Sequence, residues 1–225
     1  IETEAGKDSP FFLYVAYNMP HLPIHTTDRF RGSSGAGLYG DVIETIDWSV
    51  GRILQTLESE GIAEETVVFF ASDNGPWLNL PSRMLQGGNK PWHSGSPGPL
   101  RGSKRTSYEG GPRVPAMIRW PGHIESGVVT EDLAATQDIY RTFLELGGAE
   151  LPDHSIEGHD LMPWLTGDQS HSPRKEYAYV QNEKLHALRI GAWKLRLAGD
   201  TPQLFNLQSD PGERWNRAEE NPDRV

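Results

Sequence analysis

The chain has 225 residues, with 21 Lys and Arg against 31 Asp and Glu and a formal net charge of −10. That acidity excludes a general nucleic-acid binder, which needs a basic footprint to neutralise phosphates. With 36% hydrophobic and 23% charged residues the chain is globular rather than disordered, and with no Cys it makes no disulfide, thiolate nucleophile or zinc–thiolate centre.

The 24 Gly and 17 Pro predict long loops between regular elements. Ile1–Ser9 reads as a polar helix end or loop. Phe11–Tyr17 (FFLYVAY), bounded by Pro10 and Pro20, reads as a buried strand. After a loop, Leu38, Val42, Ile46, Val50, Ile53, Leu54 and Leu57 recur at spacings of three and four, which predicts one face of an amphipathic helix ending near Gly61. Thr66–Ser72 (TVVFFAS) reads as a second buried strand, so that strand, helix and strand form a βαβ unit. A long loop, 73–107, follows, and loops of that length are usually functional. Val114–Trp120 predicts a third strand and Asp138–Leu146 a short helix with Gly147 just past its end. From Leu151 onward the pattern changes: Glu176–Gln181, Ala187–Ile190, Trp193–Leu197 and Gln203–Leu207 predict a small antiparallel sheet, and Glu213–Val225 reads as the beginning of a helix. No apolar run approaches the roughly 20 residues of a membrane-spanning helix.

In an open parallel sheet, ligands bind outside the carboxyl ends of the strands. The first predicted strand delivers Asn18 and His21 there, and the second delivers Asp73, Asn74 and Gly75. A carboxylate beside an amide oxygen is a pair of hard donors suited to Ca²⁺ or Mg²⁺ rather than zinc, although the same Ser-Asp-Asn-Gly turn also serves as an ordinary Asx turn. Charge is uneven along the chain. Residues 86–123 hold six cations (Lys90, Arg101, Lys104, Arg105, Arg113, Arg119) against one acid, Glu109, so the acidic excess lies wholly elsewhere. A basic segment following a candidate metal turn suits a ligand with sulfate- or phosphate-like oxygens; a solvated loop paired with the acidic remainder is the other reading. Gly102 and Gly110–Gly111 allow close backbone approach or a sharp turn.

The segments PFFLYVAYNMPH, YGDVIETIDWSVGRILQTLESEGIAEETVVFFASDNG and PLRGSKRTSYEGGPRVPAMIRWPG resemble the later part of the type I, formylglycine-dependent sulfatases. DIYRTFLELGGAELP, IEGHDLMPWLTG, LHALRIGAWKLR and LFNLQSDPGERWN continue the resemblance in family order, in the style of the arylsulfatase A and N-acetylgalactosamine-6-sulfatase branch. The resemblance implies an alkaline-phosphatase-like α/β fold with a mostly parallel sheet and a small C-terminal antiparallel subdomain. Residues 1–148 are then the later part of the catalytic domain and 149–225 the subdomain.

The resemblance also implies roles. Asp73 and Asn74 match the pair that binds calcium, Lys104 in RGSK matches the lysine that contacts the substrate sulfate, and His21 matches the histidine that contacts sulfate and protonates the leaving oxygen. The implied substrate is a sulfated small molecule or glycan, the implied cofactors are Ca²⁺ (Mg²⁺ second) and a formylglycine, and the implied location is periplasmic, extracellular or lysosomal. The family's formylglycine comes from Cys or Ser in a C/S-x-P-x-R motif, which this chain lacks; Asn79-Leu80-Pro81-Ser82-Arg83 has Asn at the modified position. The chain is therefore expected to be the later half of a longer enzyme, inactive and poorly soluble by itself. Two alternatives stand beside this reading. One is a phosphomono- or phosphodiesterase of the same superfamily, which would favour His after the Asp and bind zinc. The other is a non-catalytic module that binds anionic sugars.

Overall fold

The computed structural model describes residues 1–225. Two compact units are present, one built from Ile1–Gly98 and Gly102–Ile118, the other from Pro99–Arg101 and Arg119–Val225.

The first unit opens on a single helical turn, α1 (Glu2–Ala5), and is dominated by α2 (Gly37–Ser59). The apolar face expected from the spacing is the one turned from solvent: Val42 and Leu57 are buried and the other five positions are at least half-covered. Val42 packs with Leu22 and Ile24 in a small core that also takes in Leu38, Tyr39, Ile46, Leu80 and Met84. The helix stops because Gly61 adopts φ +71°, which lets the Ile62 N–H reach Leu57 O (3.0 Å) and the Gly61 N–H reach Glu58 O (3.1 Å). This pair of bonds satisfies carbonyls the helix end would leave open. At the other end Asp41, itself buried, accepts the N–H of Gly32 (2.8 Å), the N–H of Ser34 (3.1 Å) and the Ser34 hydroxyl (2.8 Å), fixing the incoming loop. Those bonds, led by the Gly32 amide, hold its carboxyl below the usual aspartate range.

β1 (Val68–Ala71) pairs with β2 (Ala116–Arg119) in a two-stranded sheet. Both lie inside the segments read as strands. Phe11–Tyr17 does not form the expected buried strand, and the βαβ unit is correspondingly absent. Phe12 is 73% and Tyr14 80% exposed, and the segment has no place in either sheet. Composition marked it as a strand, but a strand also needs a neighbour to complete its ladder, and none of these 225 residues supplies one. Its far end is fixed by the Tyr17 hydroxyl, 2.8 Å from Ser49 Oγ on α2.

The second unit carries α3 (Thr136–Leu146), one helical turn α4 (Met162–Leu165) and a four-stranded sheet in sequential order: β3 (Glu176–Gln181), β4 (Lys184–Ile190), β5 (Trp193–Arg196) and β6 (Gln203–Asn206). All its pairings are antiparallel, as the short, turn-spaced segments foretold. The β3–β4 turn has Asn182 at φ 50° and Glu183 at φ 61°, the pair of left-handed residues that matches strand twist in a two-residue hairpin. The left-handed residue closing α3 is Gly148 (φ +61°), one position beyond Gly147. Glu213–Val225 forms turns and a short 3₁₀ segment at Pro222–Arg224 instead of starting an α-helix. Pro222 limits helix propagation there because it brings no N–H.

Two buried ion pairs hold this unit. Lys194 on β5 and Glu213 are both fully buried, with Nζ 2.9 Å from Oε1, and Lys194 Nζ lies 4.1 Å from the Tyr179 ring centroid. Asp138 on α3 receives the Arg174 guanidinium as a fork, Nε to Oδ2 at 2.7 Å and Nη2 to Oδ1 at 2.5 Å. The same carboxylate accepts the N–H of Ala135 and of His159, each at 2.8 Å. Burial would raise the Asp138 pKa. The Arg174 hydrogen bonds, with those from His159 and Ala135, outweigh burial and hold the carboxyl below its ordinary value.

Arg174→Met is expected to cost about 3–5 kcal/mol in urea unfolding, because it strands a buried carboxylate. Asp138's folded pKa lies below its unfolded value, so its stabilisation is present above the unfolded pKa and is lost as pH falls through the folded one. Without Arg174 the folded pKa rises, and acid unfolding of the variant is expected to begin at higher pH than in the parent.

Candidate functional site

The candidate site lies in the first unit, where the loop after β1 meets the loop that leads toward β2. Ser72 N–H donates to Pro115 O (3.3 Å), Gly75 N–H to Gly111 O (2.7 Å) and Lys104 N–H to Pro76 O (2.8 Å). Three backbone bonds thus lace residues 72–76 to residues 104–115. The lacing is tight enough to demand glycine. A Cβ on Gly75 would stand 1.9 Å from Gly110 O and 3.1 Å from Gly111 O, and one on Gly111 would stand 2.4 Å from Thr106 O. The basic loop folds back on itself through Thr106, whose Oγ1 accepts the Ser103 N–H (3.2 Å) and donates to Ser103 O (2.8 Å). Gly102, at φ +80°, leaves room for that hydroxyl, since a Cβ there would lie 2.4 Å from Thr106 Oγ1.

Lacing sets Asp73 and Asn74 beside the turn that carries Lys104. Asn74 Nδ2 donates to Gly75 O (3.1 Å), and the Asn74 carbonyl accepts the Ser72 hydroxyl (3.0 Å). That bond occupies the amide nitrogen and leaves Oδ1 as the atom available to a cation. Asp73 is exposed, with its carboxylate outside any hydrogen bond or ion pair. One carboxylate oxygen set and one amide oxygen fit a hard divalent cation in kind, but Ca²⁺ takes six to eight oxygens. No group of three or more His, Asp or Glu is assembled to hold a metal alone. The pair fits as part of a coordination shell completed by other ligands.

Lys104 Nζ stands 5.9 Å and Arg105 Cζ 6.0 Å from the Trp77 ring centroid. Trp77 and the left-handed Arg105 (φ 73°) are features the sequence reading did not single out. A loop Trp carries no positional signal, and φ is not legible in a residue type other than Gly. His21 is exposed, and its Nδ1 lies 2.8 Å from Leu22 O. A carbonyl only accepts, so Nδ1 carries the proton and Nε2 is the nitrogen open to a ligand. The His21 segment is anchored on the Leu22–Ile24–Val42 core and by Asn89, whose Oδ1 accepts the Ile24 N–H (2.8 Å) while Nδ2 donates to Ile24 O (3.1 Å). The structure joins Asp73, Asn74 and Lys104 through their loops; His21 makes no hydrogen bond to any of them.

Other residues of these loops have plainer places. His93 is buried and accepts the Lys90 N–H at Nδ1 (3.1 Å), while Trp92 beside it is 72% exposed. His25 is exposed. The Asn79–Arg83 look-alike packs Leu80 against the first unit's core and enters a short 3₁₀ turn, a structural role unlike that of a nucleophile.

Comparison with known proteins gives a consistent picture. A family model described as Sulfatase matches residues 1–149, and one described as N-sulphoglucosamine sulphohydrolase, C-terminal, matches residues 102–223. The chain is 39% identical to N-acetylgalactosamine-6-sulfatase of Rattus norvegicus over 96% of its own length and 45% of that protein's. It is 35% identical to arylsulfatase A of Homo sapiens, over 93% of this chain and 45% of that one. Among solved structures, one described under the metabolism of multiple glycosaminoglycans by Bacteroides thetaiotaomicron superposes with a TM-score of 0.78 at 30% identity, covering 97% of this chain and 48% of its own. The chain spans about half the length of the curated relatives it matches. The fold is the α/β, alkaline-phosphatase-like fold of these neighbours, with the antiparallel sheet as its smaller part.

Gly75→Ala is expected to break the Gly75–Gly111 bond and cost about 1–3 kcal/mol in thermal or urea unfolding, since overpacking against backbone has no side chain to yield. Unfolding like the parent's would show that the two loops are not laced as described.

Proposed function

The chain belongs to the sulfatase family, and from that premise we propose that it supplies the metal-binding pair and the sulfate-binding cation of a sulfuric ester hydrolase. The reaction is R–O–SO₃⁻ + H₂O → R–OH + HSO₄⁻. The observation that carries the proposal is the lacing of the two loops. It joins the loop that carries the Asp73 and Asn74 oxygens to the loop that carries Lys104, which supports the reading.

In this reading Asp73 and Asn74 contribute oxygens to a Ca²⁺ ion, with Mg²⁺ second. When bound, the cation withdraws charge from the sulfuryl oxygens. Lys104 binds the same sulfate and opposes the negative charge that builds as the ester bond breaks. His21, with Nδ1–H committed to Leu22 O, contacts sulfate through Nε2 and, as the imidazolium, delivers the Nε2 proton to the departing alkoxide, becoming the neutral imidazole. The nucleophile has no candidate among these residues: the chain has no Cys, and Asn79 stands in the one motif look-alike. The family's formylglycine would come from outside the 225 residues. Residues 1–148 then belong to the catalytic domain and 149–225 to a C-terminal subdomain. The substrate is an aryl or carbohydrate sulfate, and the place of action is an exported compartment. No helix is long and apolar enough to cross a membrane.

Asn74 supports the sulfate reading over the phosphate one. An amide oxygen is a hard ligand that serves calcium, whereas a zinc phosphoesterase favours imidazole at such a position.

In the complete protein, Asp73→Ala and Lys104→Ala are each expected to lower kcat/KM for 4-nitrophenyl sulfate by about 10²–10³-fold. After chelation, Ca²⁺ is expected to restore parental activity and Zn²⁺ is not. Zinc-dependent phosphatase activity without sulfatase activity would overturn the assignment. The 225-residue chain alone is expected to turn over no aryl sulfate; turnover by it would show that the nucleophile lies within these residues.

A further inference from the structure

Lys104 suffices, with a divalent cation, for one sulfate monoester, yet the next residue is a second cation. Arg105 is exposed, has no carboxylate within ion-pair distance, and is held at φ 73°, a conformation that favours glycine. Non-glycine residues kept in such conformations cluster at ligand-binding positions. Trp77 lies near both cations, 5.9 Å from Lys104 Nζ and 6.0 Å from Arg105 Cζ, at the outer reach of a cation–π contact. Trp77 follows Asp73 and Asn74 on the same loop, and Lys104 is fixed to that loop by its N–H bond to Pro76 O (2.8 Å).

We infer that Arg105 and Trp77 form a subsite, next to the scissile sulfate, for a second anionic group carried by a carbohydrate substrate. This inference rests on the sulfatase reading above. Trp77 offers a flat apolar face to a sugar ring. Arg105 offers a planar fork to two oxygens of a sulfate or carboxylate, which Lys beside it does not. The substrate class is therefore a glycan with at least two anionic groups on one or adjacent sugars, rather than a simple aryl sulfate.

The test compares the complete protein with its Arg105→Gln and Arg105→Gly variants on three substrates. These are 4-nitrophenyl sulfate, a disulfated disaccharide, and a monosulfated disaccharide bearing a uronate carboxylate. Losing one charge-assisted bond is expected to raise KM for the disulfated or the uronate substrate roughly tenfold more than KM for 4-nitrophenyl sulfate, with kcat little moved. Whichever disaccharide responds identifies the second group. Equal effects on all three substrates would overturn the inference. Arg105→Gly separates binding from folding: glycine accepts φ 73°, so its Tm is expected to match or exceed the parent's, and a lower Tm would assign Arg105 a structural role and sink the proposal. If the parent cleaves none of the three, the sulfatase reading fails by itself. The subsite is then judged by titrating the disulfated disaccharide into parent and Arg105→Gln: a roughly tenfold weaker Kd in the variant supports it, and equal affinity overturns it.

Discussion

The bond from the Gly75 amide to the Gly111 carbonyl is the contact on which the candidate site depends. It joins backbone to backbone at 2.7 Å, with no side chain between the two loops. That closeness is available because Gly75 carries no Cβ: one there would lie 1.9 Å from Gly110 O. Everything functional follows from the register it sets. Asp73 and Asn74 precede the contact by two residues and one, Trp77 follows by two, and the Lys104 amide closes the other side on Pro76. The metal-binding pair and sulfate-binding cation proposed here come from separate loops and need a fixed mutual distance, and backbone hydrogen bonds between glycine-lined loops fix it more rigidly than long side chains would.

The charge distribution makes sense in the same frame. The net charge of −10 argued against anionic partners, and for long polyanions it still does. Within 86–123, however, the excess is positive. The sulfate proposed for Lys104 would therefore meet a locally positive segment of an acidic protein, because field strength at a few ångströms is set by near charges and distant ones are screened.

How much of this was legible in the sequence varies with how local the determinant is. The α2 face, its stop near Gly61 and the four short strands of the second unit rest on periodicity and turn chemistry within a few residues, and they were read correctly. Asp73, Asn74 and the basic segment with Lys104 stood out as candidates from strand ends and charge, but the roles given to them came through the resemblance, since two oxygens after a strand look like any Asx turn. The structure added what a one-dimensional pattern lacks: that Gly75 and Gly111 touch, that the Asn74 amide nitrogen bonds to Gly75 O, and that Arg105 is left-handed. Phe11–Tyr17 was misread for the converse reason. Its aromatic and β-branched content is that of a strand, but pairing is a property of two segments, and the second is not among these residues.

The exposed face of that segment bears on function as much as on folding. Phe12, Leu13, Tyr14 and Val15 are all exposed, and they run directly into the loop that carries His21. The His21 end is well anchored, by the Leu22–Ile24–Val42 core and by Asn89, whereas the approach to it is held at Tyr17 by one hydroxyl contact with Ser49. A residue that transfers a proton must be placed to within a fraction of an ångström, and anchoring from one side leaves a hinge on the other. The loops of Asp73, Asn74 and Lys104 are laced to one another by backbone bonds, which suits the metal and sulfate roles proposed for them. The proton-transfer role proposed for His21 rests on a segment whose approach, along Phe12–Val15, is exposed, so the two parts of the candidate site differ in how they are held.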